Sequence, residues 1–278
     1  MPIQVQITLL VLLSALLHAV WNAVVKVRED RTLTLGMVSL LAALVSLAML
    51  PFVSLPPPQA WKWILAGVAG HLGFKIFLLS AYRTGDFSQV YPLARGSAPL
   101  LVALASGDIL NAGQIWGVAL ISVGIFSLTF DKGIPKGRQL PPVIYALVTG
   151  AFIAGYTVAD GHGVRLVGST FGFAPWLFAI DGTLFAGGAL FLRRGYLRAH
   201  LGPRLLTPMA AGVISLLAYF IIIWAVSRSA MAPVAALRET GVIFAALIGT
   251  LVLKEPFGLR RIIAAASVVA GIAAMSLA

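Results

Sequence analysis

The chain has no cysteine and few charged side chains. None of its 278 residues is cysteine, which excludes disulfides and metal sites built on thiolates. Asp, Glu, Lys and Arg together make up 10% of the residues, whereas about 25% is usual in soluble domains. Hydrophobic residues make up 60%, and the mean hydropathy is +0.98. This composition excludes an ordinary soluble domain and predicts a protein that crosses the membrane many times.

Acidic residues are the scarcer of the two charge types: 9 Asp and Glu stand against 20 Lys and Arg, for a formal net charge of +11. Such an excess can indicate a nucleic-acid partner, but here the basic residues follow the pattern of a membrane protein. Most lie in loops after odd-numbered apolar segments, and the loops after even-numbered segments hold only Lys62, Arg165 and Arg228. The positive-inside rule places the odd loops in the cytoplasm and both termini on the other side. We therefore expect no nucleic-acid partner.

Apolar segments long enough to cross about 30 Å of hydrocarbon as helices recur along the whole chain. We interpret the first as a permanent span and not as a cleaved signal peptide. The predicted fold class is an all-α membrane protein with ten transmembrane helices, near residues 6–26, 33–53, 63–82, 88–107, 113–130, 142–159, 171–192, 207–227, 231–252 and 260–277.

Two stretches of the sequence resemble each other, and each carries an arginine in apolar surroundings. They read VYPLARGSAPLLVALASGD (90–108) and VAALRETGVIFAALIGTLVLKE (234–255), with Arg95 and Arg238 at equivalent positions. Because a guanidinium stays protonated, placing it at membrane depth costs about 2.5–3.5 kcal/mol on insertion scales, so something polar must meet it there. The likeness predicts a tandem duplication.

The duplication predicts a first repeat over residues 1–130, a linker over 131–141 and a second repeat over 142–278. Five spans is an odd number, so the second repeat enters the membrane inverted relative to the first. Inverted repeats are a recurrent transporter design, with the substrate site near the midplane and alternating access between the halves. We therefore expect a central cavity between two inverted five-helix repeats.

Several motifs carry a resemblance to a known group of proteins. They are HAVWN (18–22), VYPLARGSAP (90–99), FIAGYTVADGHGVR (152–165), and PVAALRET (233–240) followed by LKEPFGLRR (253–261). In these motifs the chain resembles the EamA-type families of the drug/metabolite transporter superfamily over essentially its whole length. The resemblance implies a ten-helix basket with a central cavity and secondary transport without ATP, and many relatives of this type export amino acids or other small metabolites.

Polar side chains in the first and third spans are candidates for the cavity wall. His71 and Lys75 lie four residues apart and share one helix face, although Lys75 could instead extend to a lipid headgroup. His18 and Asn22 form the same kind of pair, with Trp21 beside them. These side chains could line the cavity or only form hydrogen bonds between helices.

Arg95 and Arg238 are the predicted ligands of a substrate carboxylate, and Tyr91 lies one turn before Arg95. Arg95 could instead bind backbone carbonyls freed by neighbouring prolines. Glu239 follows Arg238 directly, so on a regular helix the two side chains would point about 100° apart. We interpret Glu239 as the proton-coupling carboxyl, or as a structural ion-pair partner of Arg95, Arg238 or Lys75.

The segment ADGHGVR (159–165) is predicted to form a tight turn after the sixth span. Asp160 and His162 would then form a gate at the outer mouth, and two ligands without a third do not predict a metal site. Tyr156 holds the place in the second half that Trp21 holds in the first. These two rings could stack on the substrate or simply pack.

The balance of charges within the spans bears on the substrate. Lys75, Arg95 and Arg238 face the acids Asp181 and Glu239, and histidines could add positive charge. The predicted cavity is neutral to positive, which disfavours export of lipophilic cations and favours a zwitterion or an anion.

The function predicted from these observations is secondary active transport by alternating access, as an exporter of small polar metabolites that carry a carboxylate, amino acids first. The chain would lie in a bacterial-type inner membrane, contact lipid and a small-molecule substrate, use no cofactor and take the proton as a candidate coupling ion. A carrier of organic anions, such as phosphonates or sugar phosphates, is the alternative within transport. An intramembrane lipid-modifying enzyme lacks a recognisable nucleophile with its base, and a lipid flippase would need a side opening between helices. Nothing in the sequence predicts an oligomeric state.

Overall fold

The computed structural model describes residues 3–26, 28, 30–84, 87–130, 140–195, 206–245, 247 and 258–276. These residues form α-helices joined by short connections, and no strand occurs among them. The helices are α1 (Ile3–Lys26), α2 (Arg31–Met49), α3 (Pro58–Thr84), α4 (Phe87–Ala105), α5 (Ala112–Ser127), α6 (Leu140–Val167), α7 (Thr170–Leu192), α8 (Leu206–Val226), α9 (Met231–Glu239) and α10 (Leu259–Ser276).

Each predicted span overlaps one of these helices, and the all-helical class is confirmed. Seven of them, α1, α2, α3, α6, α7, α8 and α10, are long and apolar enough to cross a membrane. Among the other three, α5 has 16 residues and α4 contains two prolines. The regular part of α9 has 9 residues. The predicted linker lies mostly outside the described residues, as does the part of the second repeated stretch that follows residue 247.

Local sequence sets several helix ends. The Asp30 side chain caps α2 by accepting a hydrogen bond from the Leu33 N–H, and Asn111 and Gln114 form a reciprocal capping box at α5. The Ser169 hydroxyl caps α7 by accepting a hydrogen bond from the Gly172 N–H. Each cap satisfies an N–H that would otherwise lack a partner in the first turn.

The predicted turn at residues 159–165 is wrong, because α6 continues as a helix to Val167. It ends at Gly168, whose positive φ of 72° suits the left-handed residue that closes a helix. Inside the segment, Gly161 lies against Met231 of α9. The glycine therefore serves close packing between helices and does not form a bend.

The outer surface of the helices is apolar. On α1 the residues Leu9 and Leu13 are about half exposed, and on α5 Trp116 and Val123 are 66% and 64% exposed. Large exposed apolar surfaces are rare on soluble monomers. This surface is the one expected to face lipid.

The helices pack so that α6 lies near the centre. It packs against α3 and α4, while α1 packs against α8, α2 against α7 and α5 against α10. The α3–α6 contact is close because Gly70 has no side chain: a Cβ there would lie 2.8 Å from Tyr156 Cβ. This close approach brings the polar face of α3 against α6.

A buried charge cluster as the candidate functional site

The most deeply buried charges form an Arg–Glu–Arg triad between α4 and α9. Arg95 Nη1 lies 2.8 Å from Glu239 Oε2, and Arg238 donates from Nε and Nη2 to Glu239 Oε1 at 3.0 and 2.8 Å. Glu239 has no exposed surface, and Arg238 is the largest fully buried side chain in the described chain. The two arginines singled out by the repeat thus meet at one carboxylate.

The expectation that Arg238 and Glu239 point to different walls is wrong. Regular helix ends at Glu239, a turn falls at Thr240, and helix resumes at Gly241. The Thr240 N–H and hydroxyl both bond to the Leu237 carbonyl. Because the helix is interrupted here and both side chains are long, the guanidinium can reach its neighbour's carboxylate.

Prolines make α4 similarly irregular around Arg95. Pro92 and Pro99 lie inside this helix, and a proline has no N–H to donate. The carbonyl four residues before Pro99 belongs to Arg95, so it has no helical donor at that position. Both arginines therefore lie where the backbone of a helix is broken or unsatisfied, as occurs around the sites of transporters with discontinuous helices.

Aromatic rings lie beside both guanidinium groups. Arg95 Cζ lies 5.0 Å from the centre of the Tyr91 ring, and Arg238 Cζ lies 5.6 Å from that of Tyr156. Both distances are within the range of a cation–π interaction. The site extends from Tyr156 to α3, where the His71 ring stacks on the Tyr156 ring with 4.1 Å between the ring centres.

Asp160 lies in this core and not at the outer mouth where the sequence placed it. It is 2% exposed, and its Oδ2 lies 2.9 Å from His71 Nε2 and accepts a hydrogen bond from the Tyr219 hydroxyl at 2.7 Å. The reason is the extra length of α6, which keeps Asp160 within the helix. His162, its predicted partner, stacks instead on Trp63 at 4.8 Å.

Tyr219 is the residue that sequence reasoning missed. It lies in α8, in an apolar stretch where a tyrosine resembles any packing aromatic residue. Its hydroxyl is the informative group, since a buried phenol normally requires a hydrogen-bond partner. A search for such partners could have linked it to one of the few acids in the spans.

Lys75 pairs with an acid in the seventh helix. Its Nζ lies 2.6 Å from Asp181 Oδ2 and 4.8 Å from the centre of the Phe185 ring. Asp181, which had no predicted role, is therefore the partner of this lysine.

Including Asp160 changes the expected charge balance of the site. Its three permanent cations are now matched by three carboxylates, so the described cluster is neutral while its histidines are neutral. The expected excess of positive charge omitted Asp160, because that residue had been assigned to the mouth. The members are Lys75, Arg95 and Arg238, with Asp160, Asp181 and Glu239.

Buried polar atoms without a hydrogen-bond partner in the described part of the chain include Trp21 Nε1, Arg238 Nη1, Asp160 Oδ1 and Asp181 Oδ1. His18 lies close enough to both arginines for electrostatic interaction, and its ring contacts Trp21 edge to face at 5.6 Å. Asn22 donates to the His18 carbonyl within the helix. Unsatisfied buried polar atoms are costly, so these atoms are candidates for ligand contact.

Ion pairs join the helix ends above and below the cluster. At one end, Arg165 binds Asp108 with Nη1 to Oδ1 at 2.7 Å, and Asp108 also accepts from the Met231 N–H at 2.7 Å. Burial opposes ionisation of Asp108, but these hydrogen bonds outweigh it, so its pKa lies below the usual range. At the other end, Arg193 Nε lies 2.9 Å from Asp30 Oδ2. We call these pairs the Asp108–Arg165 clasp and the Asp30–Arg193 clasp.

Among the described residues, no group of three or more His, Asp or Glu side chains could hold a metal ion. The cluster is instead a set of paired charges and aromatic rings enclosed by apolar helices. That arrangement defines a class, the polytopic membrane proteins with an ionisable site among their spans.

The comparisons with known proteins identify the family within that class. Residues 140–277 match the EamA-like transporter family. A solved structure described as "Crystal structure of protein" has a TM-score of 0.78 and 19% identity, and the match covers 98% of each chain, which shows a shared fold. A search of curated proteins finds no match. The match over residues 140–277 places the chain in the drug/metabolite transporter superfamily, as the motifs in that half of the chain indicated, and the EamA-like family is a family of transporters.

Proposed function

We propose that the protein is a secondary active transporter that works by alternating access between two inverted five-helix repeats. The helix packing supports this arrangement. If α1–α5 are exchanged with α6–α10, the α3–α6 pair becomes α8–α1, α4–α6 becomes α9–α1, and α3–α7 becomes α8–α2. All of these pairs pack together. A symmetric set of contacts between units of five helices is what an inverted repeat requires.

The two clasps are consistent with the orientation proposed from the loop charges. Asp30 and Arg193 follow an odd-numbered span and would lie on the cytoplasmic side. Asp108 and Arg165 follow an even-numbered span and would lie outside. We therefore propose a bacterial-type inner-membrane protein with both termini on the non-cytoplasmic side.

The proposed substrates are small metabolites with a carboxylate, amino acids first, and export is the proposed direction. The observation that carries this proposal is the position of Glu239, a carboxylate held by Arg95 and Arg238. Arginine binds carboxylates through paired N–H donors, so a substrate carboxylate can replace Glu239 at either guanidinium. Arg238 Nη1 is an unused donor within the triad, and Trp21 Nε1 is an unused donor beside His18.

An amino acid suits the site because it is a zwitterion. Its carboxylate would bind one arginine and its ammonium group would pair with the released Glu239, so no buried charge is left unpaired. An unpaired buried charge costs several kcal/mol, and this exchange avoids it. Tyr91 and Tyr156 would bound the substrate side chain, since each lies over one of the arginines.

The enclosed state of the cluster supports a cycle with alternate openings. The side chains of Arg95, Arg238, Glu239, His71 and Asp160 are at most 7% exposed, so neither side of the membrane has direct access to them. Opening towards the outside would require the Asp108–Arg165 clasp to part, because it joins the end of α4 to α6 and α9. The substrate would then enter or leave on that side.

Uptake of a panel of labelled amino acids into proteoliposomes tests this function. We expect flux for at least one member, loss of that flux in Arg238→Gln, and retention in Arg228→Gln, since Arg228 is an exposed arginine that stacks on Trp224. Absence of flux for every member, in a preparation shown to be folded, would contradict the proposal.

A carrier of organic anions is the second candidate, and one observation favours it. The Arg–Glu–Arg triad carries one net positive charge, and one of its buried donors, Arg238 Nη1, is unused. An anion such as a phosphonate or sugar phosphate would balance that charge. Competition of flux by a phosphonate but not by amino acids would favour this candidate.

A further inference from the structure

We propose that His71, Asp160 and Tyr219 form a proton-binding site that is separate from the arginine triad and supplies the coupling proton of the transporter. The inference rests on the proposed function for its physiological role. It replaces Glu239, the carboxyl that the sequence favoured for coupling. The proton would be shared between Asp160 Oδ2 and His71 Nε2.

The geometry of this site leaves one carboxylate oxygen unsatisfied. Asp160 Oδ2 lies 2.9 Å from His71 Nε2 and accepts from Tyr219 at 2.7 Å, whereas Asp160 Oδ1 is buried and has no hydrogen-bond partner in the described chain. On the side of Oδ1, α3 presents Gly67, where a Cβ would collide with that oxygen. A buried acceptor that receives no hydrogen bond is costly.

The partners of the other two buried carboxylates explain why Asp160 differs from them. Glu239 is held by two arginines, and Asp181, whose Oδ1 also lacks a hydrogen-bond partner, is held by Lys75. Among the described residues, the side-chain partners of Asp160 are instead an imidazole and a phenol. Imidazole is the side chain that ordinarily changes its charge between about pH 5 and 8, so this pair can gain or lose one proton.

Charged and titratable groups from every neighbouring helix face the pair. From α3 and α7 comes the Lys75–Asp181 ion pair, which has no net charge. From α6 comes Tyr156, stacked on His71, and from α8 comes Tyr219, which meets the His71 ring edge on at 5.1 Å. From α9 comes Arg238, which lies over Tyr156, and from α4 comes Arg95, which is close enough to Tyr156 for electrostatic interaction. Tyr156 thus lies between the proposed proton site and the triad.

The charge balance links the two sites. With Asp160 ionised and His71 neutral, the buried cluster has three positive and three negative charges. Adding a proton to the pair leaves one positive charge in excess. That excess favours the entry of a carboxylate beside Arg95 and Arg238, so the proton and the anionic end of a substrate promote each other's binding.

Proton counting on the purified full-length protein tests the site without any substrate. A weakly buffered detergent solution is acidified from about pH 8 to 5, and the protons bound per protein are measured with a pH dye. We expect Asp160→Asn, which is nearly isosteric, to bind one proton fewer than the wild type. Asp108→Asn, at a carboxylate outside the cluster whose lowered pKa keeps it ionised over this range, should bind as many as the wild type. Equal uptake by the wild type and Asp160→Asn would overturn the inference.

A milder variant keeps the test decisive if Asp160→Asn does not fold. Tyr219→Phe keeps the packed ring and removes one hydrogen bond to the ionised carboxylate, so the proton should be taken up at higher pH than in the wild type. Unchanged uptake would count against the site.

Proteoliposomes then separate this inference from the transport proposal. We expect an imposed pH gradient to accelerate wild-type flux, and Asp160→Asn to lose that response while still exchanging labelled for unlabelled substrate. No wild-type flux together with Asp160-dependent proton uptake would refute only the proposed function. Wild-type flux with a pH response that persists in Asp160→Asn would refute only the proton site.

Discussion

Replacing Glu239 with glutamine tests whether the arginine triad is held together by charge. In the native structure this carboxylate accepts from Arg95 Nη1 and from Arg238 Nε and Nη2, at 2.8 to 3.0 Å. Glutamine has nearly the same shape and keeps one acceptor oxygen, but it carries no charge. Two buried guanidinium groups would then face each other without a counterion.

The expected loss follows from the burial of all three groups. Glu239 has no exposed surface, and the side chains of Arg238 and Arg95 are 1% and 7% exposed. Removing one partner of a buried ion pair typically destabilises a protein by about 3–5 kcal/mol. Glu239→Gln leaves two cations unpaired, so we expect a loss at the upper end of that range.

Unfolding by SDS in mixed micelles measures this loss of stability. A double-mutant cycle with Arg95→Gln then shows how much of it belongs to the Arg95–Glu239 pair. The double variant removes one cation together with the carboxylate, so its loss should be smaller than the sum of the two single losses by about 1–3 kcal/mol. Additivity within about 0.5 kcal/mol, or a loss from Glu239→Gln below about 1 kcal/mol, would refute the reasoning.

Three further predictions concern packing, a helix cap and the outer clasp. Gly182→Ala should destabilise the protein by about 1–3 kcal/mol, because its Cβ would lie 2.7 Å from a backbone carbonyl of α2. Gly187→Ala on the same helix meets nothing within 4 Å and should be neutral or stabilising in thermal unfolding. Asp30→Ala should lower the free energy of unfolding by about 1 kcal/mol, because the α2 cap is lost. Asp30→Asn should keep most of the stabilisation from the cap, as thermal unfolding would show. Because the pKa of Asp108 is lowered, its bond to Arg165 should persist down to about pH 4, the ordinary aspartate value, and weaken only below it. A single cysteine introduced beneath the clasp of this cysteine-free chain should therefore be labelled more slowly than the same cysteine in Arg165→Ala. The ratio of the two rates at each pH, which cancels the change in thiolate with pH, should stay constant from about pH 8 to 5.

Some of the structural details behind these predictions could be predicted from the sequence, and others could not. The positions of the helices were predictable, because apolar length and the turn residues between the segments determine them locally. The end of α6 was not, since Gly161 and Gly163 in ADGHGVR resemble turn residues until Met231 and Phe173 are found packed against them.

The two arginines were predictable as buried groups that need polar partners, because the repeat placed each in apolar sequence. Glu239 was one of the candidate partners, but its binding to both arginines at once was not predictable, because it depends on the packing of α4 against α9. The pair His71–Asp160 was also missed, although each member had been noted separately. Their contact depends on the close approach of α3 and α6, which residues 89 positions apart do not reveal.

The sequence by itself determined that this chain is a helical membrane protein of a transporter family, because hydrophobic length, loop charge and motif spacing are local properties. Only the tertiary structure decided which charges meet. Three cations and three carboxylates lie in the described cluster, and the signs of their charges alone do not say which will pair. The choice is made where small residues let helices approach and where broken helices redirect side chains, and both depend on neighbours that are distant in the chain.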